Sequence, residues 1–189
     1  VLLTGPTGVG KTALVHELAH RLAAGTVPSR LQGVPLWHIT GGRIISGMKY
    51  LGEWQARARQ IVQAIRAERG ILYVDSPLEL MTAGNAKTGM DVASFLLPPI
   101  RSGEITVIAE STPDALLLAE QLNAPFIAAL RRLPVPPFPP EQSQAVLERA
   151  AVRMEKTYRA KFTPEALGRA LDLLARFGQH DALPGSGLR

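Results

Sequence analysis

The chain has 189 residues, 46% of them hydrophobic, which is enough for one full domain or for one domain with a small appendage. It contains no cysteine, which excludes disulfide bonds and cysteine-based metal sites or nucleophiles. The net charge of +5 permits contact with nucleic acid but does not argue for it strongly, and no apolar stretch is long enough to cross a membrane. We therefore expect a cytoplasmic protein.

The chain opens with a predicted strand, a glycine-rich loop and a predicted helix. Residues 1–4 form a short apolar run, and residues 12–22 carry apolar side chains at helical spacing. The loop between them matches the phosphate-binding P-loop pattern, G-x-x-x-x-G-K-[ST]. Its residues are Gly5, Pro6, Thr7, Gly8, Val9, Gly10, Lys11 and Thr12. Since the chain begins inside an expected core strand, we also expect it to be a piece of a longer protein.

A P-loop binds the phosphates of a nucleotide mainly through its backbone. Glycines let the loop wrap closely round a phosphate with its N–H groups pointing inward, and the following helix directs its positive end there. In such a loop Lys11 reaches the β- and γ-phosphates and the Thr12 hydroxyl holds Mg²⁺. The sequence therefore predicts a nucleotide and magnesium site.

The next predicted elements are a strand over residues 34–39 and a helix over residues 53–69. His38 on this strand has no histidine or cysteine close by in the sequence, which favours a half-buried strand residue over a metal ligand. Residues 71–75 are four apolar residues followed by Asp75, the pattern of a buried parallel strand with an acid at its carboxyl end. Asp75 is thus placed to hold Mg²⁺ through water.

Further strands and helices alternate up to a cluster of prolines. Residues 84–89 are predicted to be a mobile loop, residues 91–101 and 114–122 helices, and residues 105–109 a buried strand. A short strand is expected near residue 133. The proline cluster over residues 134–140 then marks a boundary, after which only helices are predicted, over residues 141–158 and 164–177.

This order of elements is similar to that of an AAA+ ATPase. Three stretches besides the P-loop make the resemblance more specific, because they are similar to the first ATPase domain of the ClpA/ClpB/ClpC unfoldases. Residues 49–53 resemble the pore loop K-Y-R-G-E, residues 91–104 fit D-x-x-x-x-L-x-P-x-x-x-x-G-E, and Arg131-Arg132 fall where the family has A-L-E-R-R-F. The resemblance implies an α/β P-loop NTPase domain with a parallel sheet over residues 1–138 and a small helical lid, truncated, over residues 139–189.

The resemblance also implies roles for particular residues. Asp75 would be the Walker B acid, Thr112 the polar sensor beside the γ-phosphate, and Arg131 and Arg132 fingers inserted into a neighbouring subunit's site. Lys49 and Tyr50 would grip a polypeptide in the pore of a hexameric ring. Three of these assignments keep a plainer alternative: Thr112 as a helix cap, the arginines as a solvated basic pair, and Tyr50 as an ordinary surface aromatic.

The chain departs from the Clp pattern at three places round the expected γ-phosphate. The family has Asp-Glu after the apolar strand, with the Glu orienting the attacking water, whereas this chain has Asp75-Ser76 followed by Pro77. The sensor segment G-A-T-T reads Ala109-Glu110-Ser111-Thr112, and the lid motif L-P-D-K-A-[IV]-D has lost its Asp and Lys over residues 183–189. These changes predict a degenerate ATPase that keeps binding while hydrolysis is slow or lost.

Our leading hypothesis is an ATP- and Mg²⁺-binding AAA+ module of a Clp-type unfoldase with weakened hydrolysis. It would form a homo-oligomeric ring and act on a polypeptide or partner protein, without a membrane or nucleic acid. Two alternatives remain: a non-catalytic module that uses bound ATP to hold an assembly together, favoured by Ser76, and a nucleic-acid-associated AAA+ motor, favoured by the net charge alone.

Overall fold

A parallel five-stranded sheet organises the chain, which is described by a computed structural model over residues 1–47, 53–85, 90–177 and 182–188. Its strands are β1 (Leu2–Thr4), β2 (Leu36–Ile39), β3 (Ile71–Val74), β6 (Thr106–Ser111) and β7 (Arg132–Pro134). Across the sheet they lie in the order β2-β3-β6-β1-β7. Strands β2, β3, β6 and β1 pair in parallel, so their carboxyl ends share one edge. The predicted α/β sheet is confirmed.

Apolar burial explains why these segments form strands. All four residues of β3 are buried, as expected for a central parallel strand covered on both faces. Helices flank the sheet: α1 (Lys11–Ala23), α2 (Gly41–Ile45), α3 (Glu53–Ala67), α4 (Pro77–Thr82), α5 (Val92–Arg101) and α6 (Pro113–Ala128). The largest fully buried core side chains of these elements are Leu2, Ile44, Ile65, Leu72, Val74, Leu80, Met81, Val92, Leu96, Phe126 and Ile127.

Several short elements were not expected from the sequence. Helix α2 begins at Gly41 because the Thr40 side chain accepts a hydrogen bond from the Arg43 amide and caps the helix. Gly84–Asn85 (β4) pairs antiparallel with Met90–Asp91 (β5), so this part of the predicted loop is a strand. The rest of that loop, residues 86–89, lies outside the described residues.

Proline and asparagine shape the later helices of the sheet domain. Helix α5 contains Pro98 and Pro99, as the sequence prediction required, and begins at the cap Asp91, whose carboxylate accepts from the Ser94 amide. Helix α6 runs past the predicted end to Ala128 but is kinked at Asn123, whose backbone is not helical. The Asn123 side chain accepts from the Phe126 amide and thereby starts the second half of the helix.

The chain divides into two compact units. The first comprises Val1–Thr4 and Thr12–Leu133, and the second comprises Gly5–Lys11 and Pro134–Arg189. The second contains helices α7 (Pro140–Tyr158) and α8 (Pro164–Phe177), which pack against each other. The predicted boundary after residue 138 and the lid role of these helices stay predictions. In the part of the chain that is described, no helix is long and apolar enough to span a membrane.

Candidate nucleotide and magnesium site

The P-loop has the backbone that its glycines predict. It follows β1, and α1 begins at Lys11, the first residue after the loop glycines. Gly8 and Gly10 have φ values of +90° and +96°, a region that side-chain-bearing residues rarely adopt. These backbone angles are compatible with the tight turn in which the N–H groups of a P-loop point towards a phosphate, and the phosphate-binding role stays a prediction.

The Lys11 side chain is held against the loop. Only 8% of the residue is exposed, and its Nζ donates to the carbonyl oxygens of Gly5 at 2.8 Å and Pro6 at 2.9 Å. A buried ammonium group at the positive end of a helix is a concentrated positive charge, which is the requirement for binding a triphosphate. The sequence-based role of Lys11 is thus compatible with its position.

The P-loop packs tightly within its own unit. Ala182 N donates to Thr7 O at 2.7 Å, and Gly185 N donates to Gly8 O at 3.0 Å. A Cβ atom added to Gly8 would lie 2.5 Å from the Ala182 carbonyl oxygen, and one added to Gly185 would lie 2.4 Å from the Gly8 Cα. Glycine at position 185, where the Clp motif has aspartate, is what allows this backbone contact.

A polar cluster lies at the carboxyl edge of the sheet, inside the first unit. Residues Val74 and Ala109 are register partners on β3 and β6, so Asp75 and Glu110, which follow them, lie on neighbouring strands. Glu110 is 7% exposed, and its Oε1 accepts hydrogen bonds from the Thr12 hydroxyl and the Tyr73 hydroxyl, both at 2.7 Å. We call Thr12, Tyr73, Asp75 and Glu110 the strand-end cluster.

Tyr73 takes part in this cluster as a neutral donor. Burial is the main cause that raises the pKa of its hydroxyl above the ordinary value, followed by the hydrogen bond to Glu110 and the nearby negative charge. The phenol is therefore protonated across the physiological range and can donate to Glu110. In this way a tyrosine within the apolar run of β3 holds one oxygen of the buried Glu110 carboxylate in place.

His38 contacts the predicted Walker B acid. Its Nε2 lies 3.3 Å from Oδ2 of Asp75, and its ring centroid lies 4.8 Å from that of Tyr73. The strand histidine is half-exposed, in agreement with the plainer expectation, but its contact with Asp75 follows from the β2–β3 register and was not predicted. One oxygen of Asp75 is thus engaged by a side chain.

The cluster suits a magnesium ion. The buried oxygens Oδ1 of Asp75 and Oε2 of Glu110 accept no hydrogen bond from any described residue, although buried polar atoms nearly always have a partner. Mg²⁺ prefers oxygen ligands and is usually held by one or two carboxylates together with substrate phosphates. Within the described ranges no group of three or more His, Cys, Asp or Glu side chains is placed to hold a metal ion by itself.

Ser76, which stands where the Clp pattern has the water-orienting glutamate, starts helix α4. Its hydroxyl accepts from the Glu79 amide at 3.2 Å, and Pro77 occupies the first helical turn. The carboxylate of Glu79, the next acid after Ser76 in the sequence, accepts from the Gly42 amide at 2.9 Å at the start of α2. Both residues are therefore engaged in helix capping.

The other predicted site residues are placed as follows. Thr112 caps α6 by accepting from the Ala115 amide at 3.3 Å, so the capping alternative is observed and the sensor role stays a prediction. Arg132 is exposed and forms an ion pair with Glu120. Arg131 is exposed, and its side chain makes no ion pair with the residues that the structure describes. Lys49 and Tyr50, the predicted pore loop, lie outside the described residues.

Two residues of the strand-end cluster were missed by the sequence interpretation. Glu110 was noticed only as a departure in the sensor segment, and Tyr73 only as part of an apolar run. The available signal was an acid directly after the predicted buried strand over residues 105–109, a strand that can be expected to neighbour the Asp75 strand. Reading both strand ends as one edge would have brought Glu110 into the site.

The parallel sheet with a P-loop between its β1 strand and α1 defines a P-loop nucleotide-binding domain. Residues 1–134 match the model of the ATPase family associated with various cellular activities (AAA). The chain belongs to this family, which implies nucleotide binding.

Known relatives narrow the resemblance to Clp chaperones. The chain is 29% identical to the chloroplastic chaperone protein ClpC2 of Arabidopsis thaliana over 98% of its length, and 30% identical to the chaperone protein ClpB of Aquifex aeolicus over 99%. It spans only 20% and 19% of these two proteins. Among solved structures, Hsp104 in a Saccharomyces cerevisiae Hsp104–casein complex matches with a TM-score of 0.87 and 27% identity, over 99% of this chain and 32% of that one. The predicted likeness to first ATPase domains of Clp proteins is confirmed.

Proposed function

We propose that this chain is the ATP-binding module of a Clp-type protein-remodelling assembly, in which nucleotide binding is retained and hydrolysis is weakened. The binding half is supported by the P-loop backbone and the buried Lys11 ammonium group. The hydrolysis half depends on one observation, the engagement of Ser76 and Glu79 in capping at the place where a water-orienting carboxylate is expected.

In this proposal the residues divide the work of binding. The P-loop amides and Lys11 contact the phosphates, and Thr12 and Asp75 hold Mg²⁺, which when bound supplies positive charge to the β- and γ-phosphate oxygens. All of these groups act on charge that ATP already carries. Binding therefore requires no proton acceptor.

Hydrolysis has a further requirement that this chain meets poorly. An attacking water must be oriented and must lose a proton, and a positioned base contributes about 10²–10⁴-fold to such a step. Ser76 is not a base at neutral pH, and the Glu79 carboxylate is bound to the Gly42 amide. We infer slow turnover with little loss of ATP affinity.

Assembly and substrate form the second part of the proposal. One solved relative is Hsp104 with ATPγS and FITC-casein, and another is an Hsp104–casein complex. By analogy this chain would form a hexameric ring that contacts a polypeptide through Lys49 and Tyr50, with Arg131 and Arg132 reaching a neighbour's nucleotide. The exposure of Arg131 supports that role, whereas Arg132 would first have to leave Glu120.

A non-catalytic scaffold is the second candidate function. It is favoured by the same capping role of Ser76, because a ring that never hydrolyses ATP needs only the binding residues. Turnover separates the two candidates: the weakened motor releases phosphate slowly in the presence of polypeptide, and the scaffold does not release it at all.

The test of the binding half is the thermal unfolding of wild-type protein and Lys11→Ala with and without Mg·ATP. At a ligand concentration 100 times the dissociation constant, mass action stabilises the wild type by about 2.7 kcal/mol. For a domain of this size that corresponds to a Tm increase of roughly 5–11 °C. Lys11→Ala should lose this increase, because the variant lacks the phosphate-binding charge.

Lys161→Ala is the matched control, since Lys161 is an exposed lysine outside the loop. It should keep the full Tm increase. An equal increase in Lys11→Ala and wild type would place the nucleotide elsewhere and refute the assignment.

A further inference from the structure

We propose that Glu110 is a second acidic residue of the magnesium site, with Oε1 orienting the Thr12 hydroxyl and Oε2 available to the metal or to a water bound to it. The inference rests on the proposed Mg·ATP binding and adds a residue to it. In the Clp pattern this position is alanine, so the acid is a feature of this chain.

The Thr12–Glu110 hydrogen bond carries the first step. A hydroxyl has one proton to donate and two lone pairs to offer. Thr12 donates its proton to Oε1 of Glu110 at 2.7 Å. Its lone pairs are thereby turned away from the carboxylate, which is the orientation that a hydroxyl needs to act as a ligand for a cation.

Tyr73 carries the second step because it fixes which carboxylate oxygen is left over. Its hydroxyl donates to the same Oε1 at 2.7 Å, so one oxygen of Glu110 accepts two hydrogen bonds. The other oxygen, Oε2, is buried and accepts none from the described residues. A buried carboxylate oxygen without a partner is unfavourable, and a cation or its hydration water would satisfy it.

Asp75 supplies the third step. It follows the register partner of Ala109, so its carboxylate and that of Glu110 belong to neighbouring strand ends, and it too has a buried oxygen without a described partner. These two oxygens, together with the Thr12 hydroxyl that is bonded to Glu110, make a set of hard oxygen donors. The site of this chain would then contain two carboxylates.

A second carboxylate has opposite consequences with and without metal. In buffer with Mg²⁺, the second carboxylate strengthens the binding of the metal ion and hence of Mg·ATP. In metal-free buffer, its negative charge repels the triphosphate and weakens the binding of ATP. Glu110→Gln retains the shape and an oxygen acceptor but removes the charge. We therefore expect this variant to bind ATP more weakly in Mg²⁺ and at least as tightly in EDTA.

The experiment measures ATP affinity by calorimetry across a Mg²⁺ titration and in EDTA, for wild type, Glu110→Gln and the exposed control Glu68→Gln. The apparent Mg²⁺ affinity of the ATP complex should fall about 10–100-fold in Glu110→Gln, the usual range for a group that supports a metal ligand. Glu68→Gln changes the net charge equally and should behave as wild type. Electron paramagnetic resonance of Mn²⁺ bound with ATP gives a second readout that does not depend on turnover.

Each outcome decides the inference. An unchanged Mg²⁺ dependence in Glu110→Gln overturns it while leaving ATP binding intact. Equal weakening in Mg²⁺ and EDTA also overturns it, because a purely structural role acts on both. If Glu110→Gln does not fold, Glu110→Ala, which restores the residue of the Clp pattern, is measured in the same way. A wild type that binds no ATP in either buffer overturns the proposed function itself and this inference with it.

Discussion

Ser76 offers a perturbation whose effects on stability and on catalysis can be separated. Its hydroxyl caps helix α4 through the Glu79 amide, and its position is the one where a catalytic glutamate is expected. Replacement by Glu, Asp and Ala changes these two properties in different combinations. Asp keeps a capping oxygen and adds a short carboxylate, Glu adds the longer carboxylate but caps poorly, and Ala does neither.

The expected changes in stability and in rate can be estimated from the capping hydrogen bond of Ser76 and from the missing base. Loss of a serine cap by substitution with alanine costs about 0.5–2 kcal/mol, and a glutamate at the same helix end recovers about 0.3–1 kcal/mol through the helix dipole. Gain of a general base is worth about 10²–10⁴-fold in rate, or roughly 3–5 kcal/mol of barrier. Ser76→Glu should therefore be slightly less stable than wild type and considerably faster, with Pro77 limiting the gain.

Thermal unfolding of the intact protein tests the capping role of Ser76, and single-turnover ATP hydrolysis tests the missing-base argument. Stability should rank wild type and Ser76→Asp above Ser76→Glu, with Ser76→Ala lowest. Only the variants with a carboxylate should hydrolyse ATP faster than wild type. Equal rates for Ser76→Glu and Ser76→Ala would refute the missing-base argument, and an unchanged stability of Ser76→Ala would refute the capping role.

The remaining predictions concern the loop, the ring and the pore. Gly8→Ala should destabilise the protein more than Gly10→Ala in chemical denaturation, because both have positive φ but only at Gly8 would the new Cβ meet a backbone atom, at 2.5 Å; equal losses would contradict this contact. Arg131→Ala should slow hydrolysis by the ATP-bound oligomer of the intact protein without reducing ATP affinity in calorimetry, and monomers by light scattering with and without ATP would exclude the finger role. Tyr50→Ala should weaken photo-crosslinking to unfolded casein while Mg·ATP binding stays unchanged, and unaltered crosslinking would exclude the pore-loop role.

Periodicity and motif spacing were sufficient to predict the main elements of the sheet domain. The apolar run of β3 predicts a buried strand by itself. The P-loop motif predicts a strand before the loop and a helix after it, which are β1 and α1. The short helices α2 and α4 were missed because one turn of helix depends on a single cap rather than on a repeating apolar face. Thr40 and Ser76 supply those caps.

The strand-end cluster was only half predictable for a different reason. Asp75 could be found from its position after an apolar run, a property of one segment of sequence. The hydrogen bonds of Glu110 to Thr12 and Tyr73 join residues 98 and 37 positions apart, and they arise from the order and register of the strands. Periodicity within a segment carries no information on which strand becomes its neighbour.

The fate of bound ATP tests the central claim most directly. Mg·ATP labelled at the γ-phosphate is bound to the intact wild-type protein, excess unlabelled ATP is added, and the bound nucleotide is analysed over time. The account predicts that the bound ATP is converted to ADP with a half-life between about one minute and two hours, since a rate of ~1 s⁻¹ lowered by 10²–10⁴-fold becomes about 10⁻²–10⁻⁴ s⁻¹. Conversion of the bound ATP to ADP within a few seconds would contradict it.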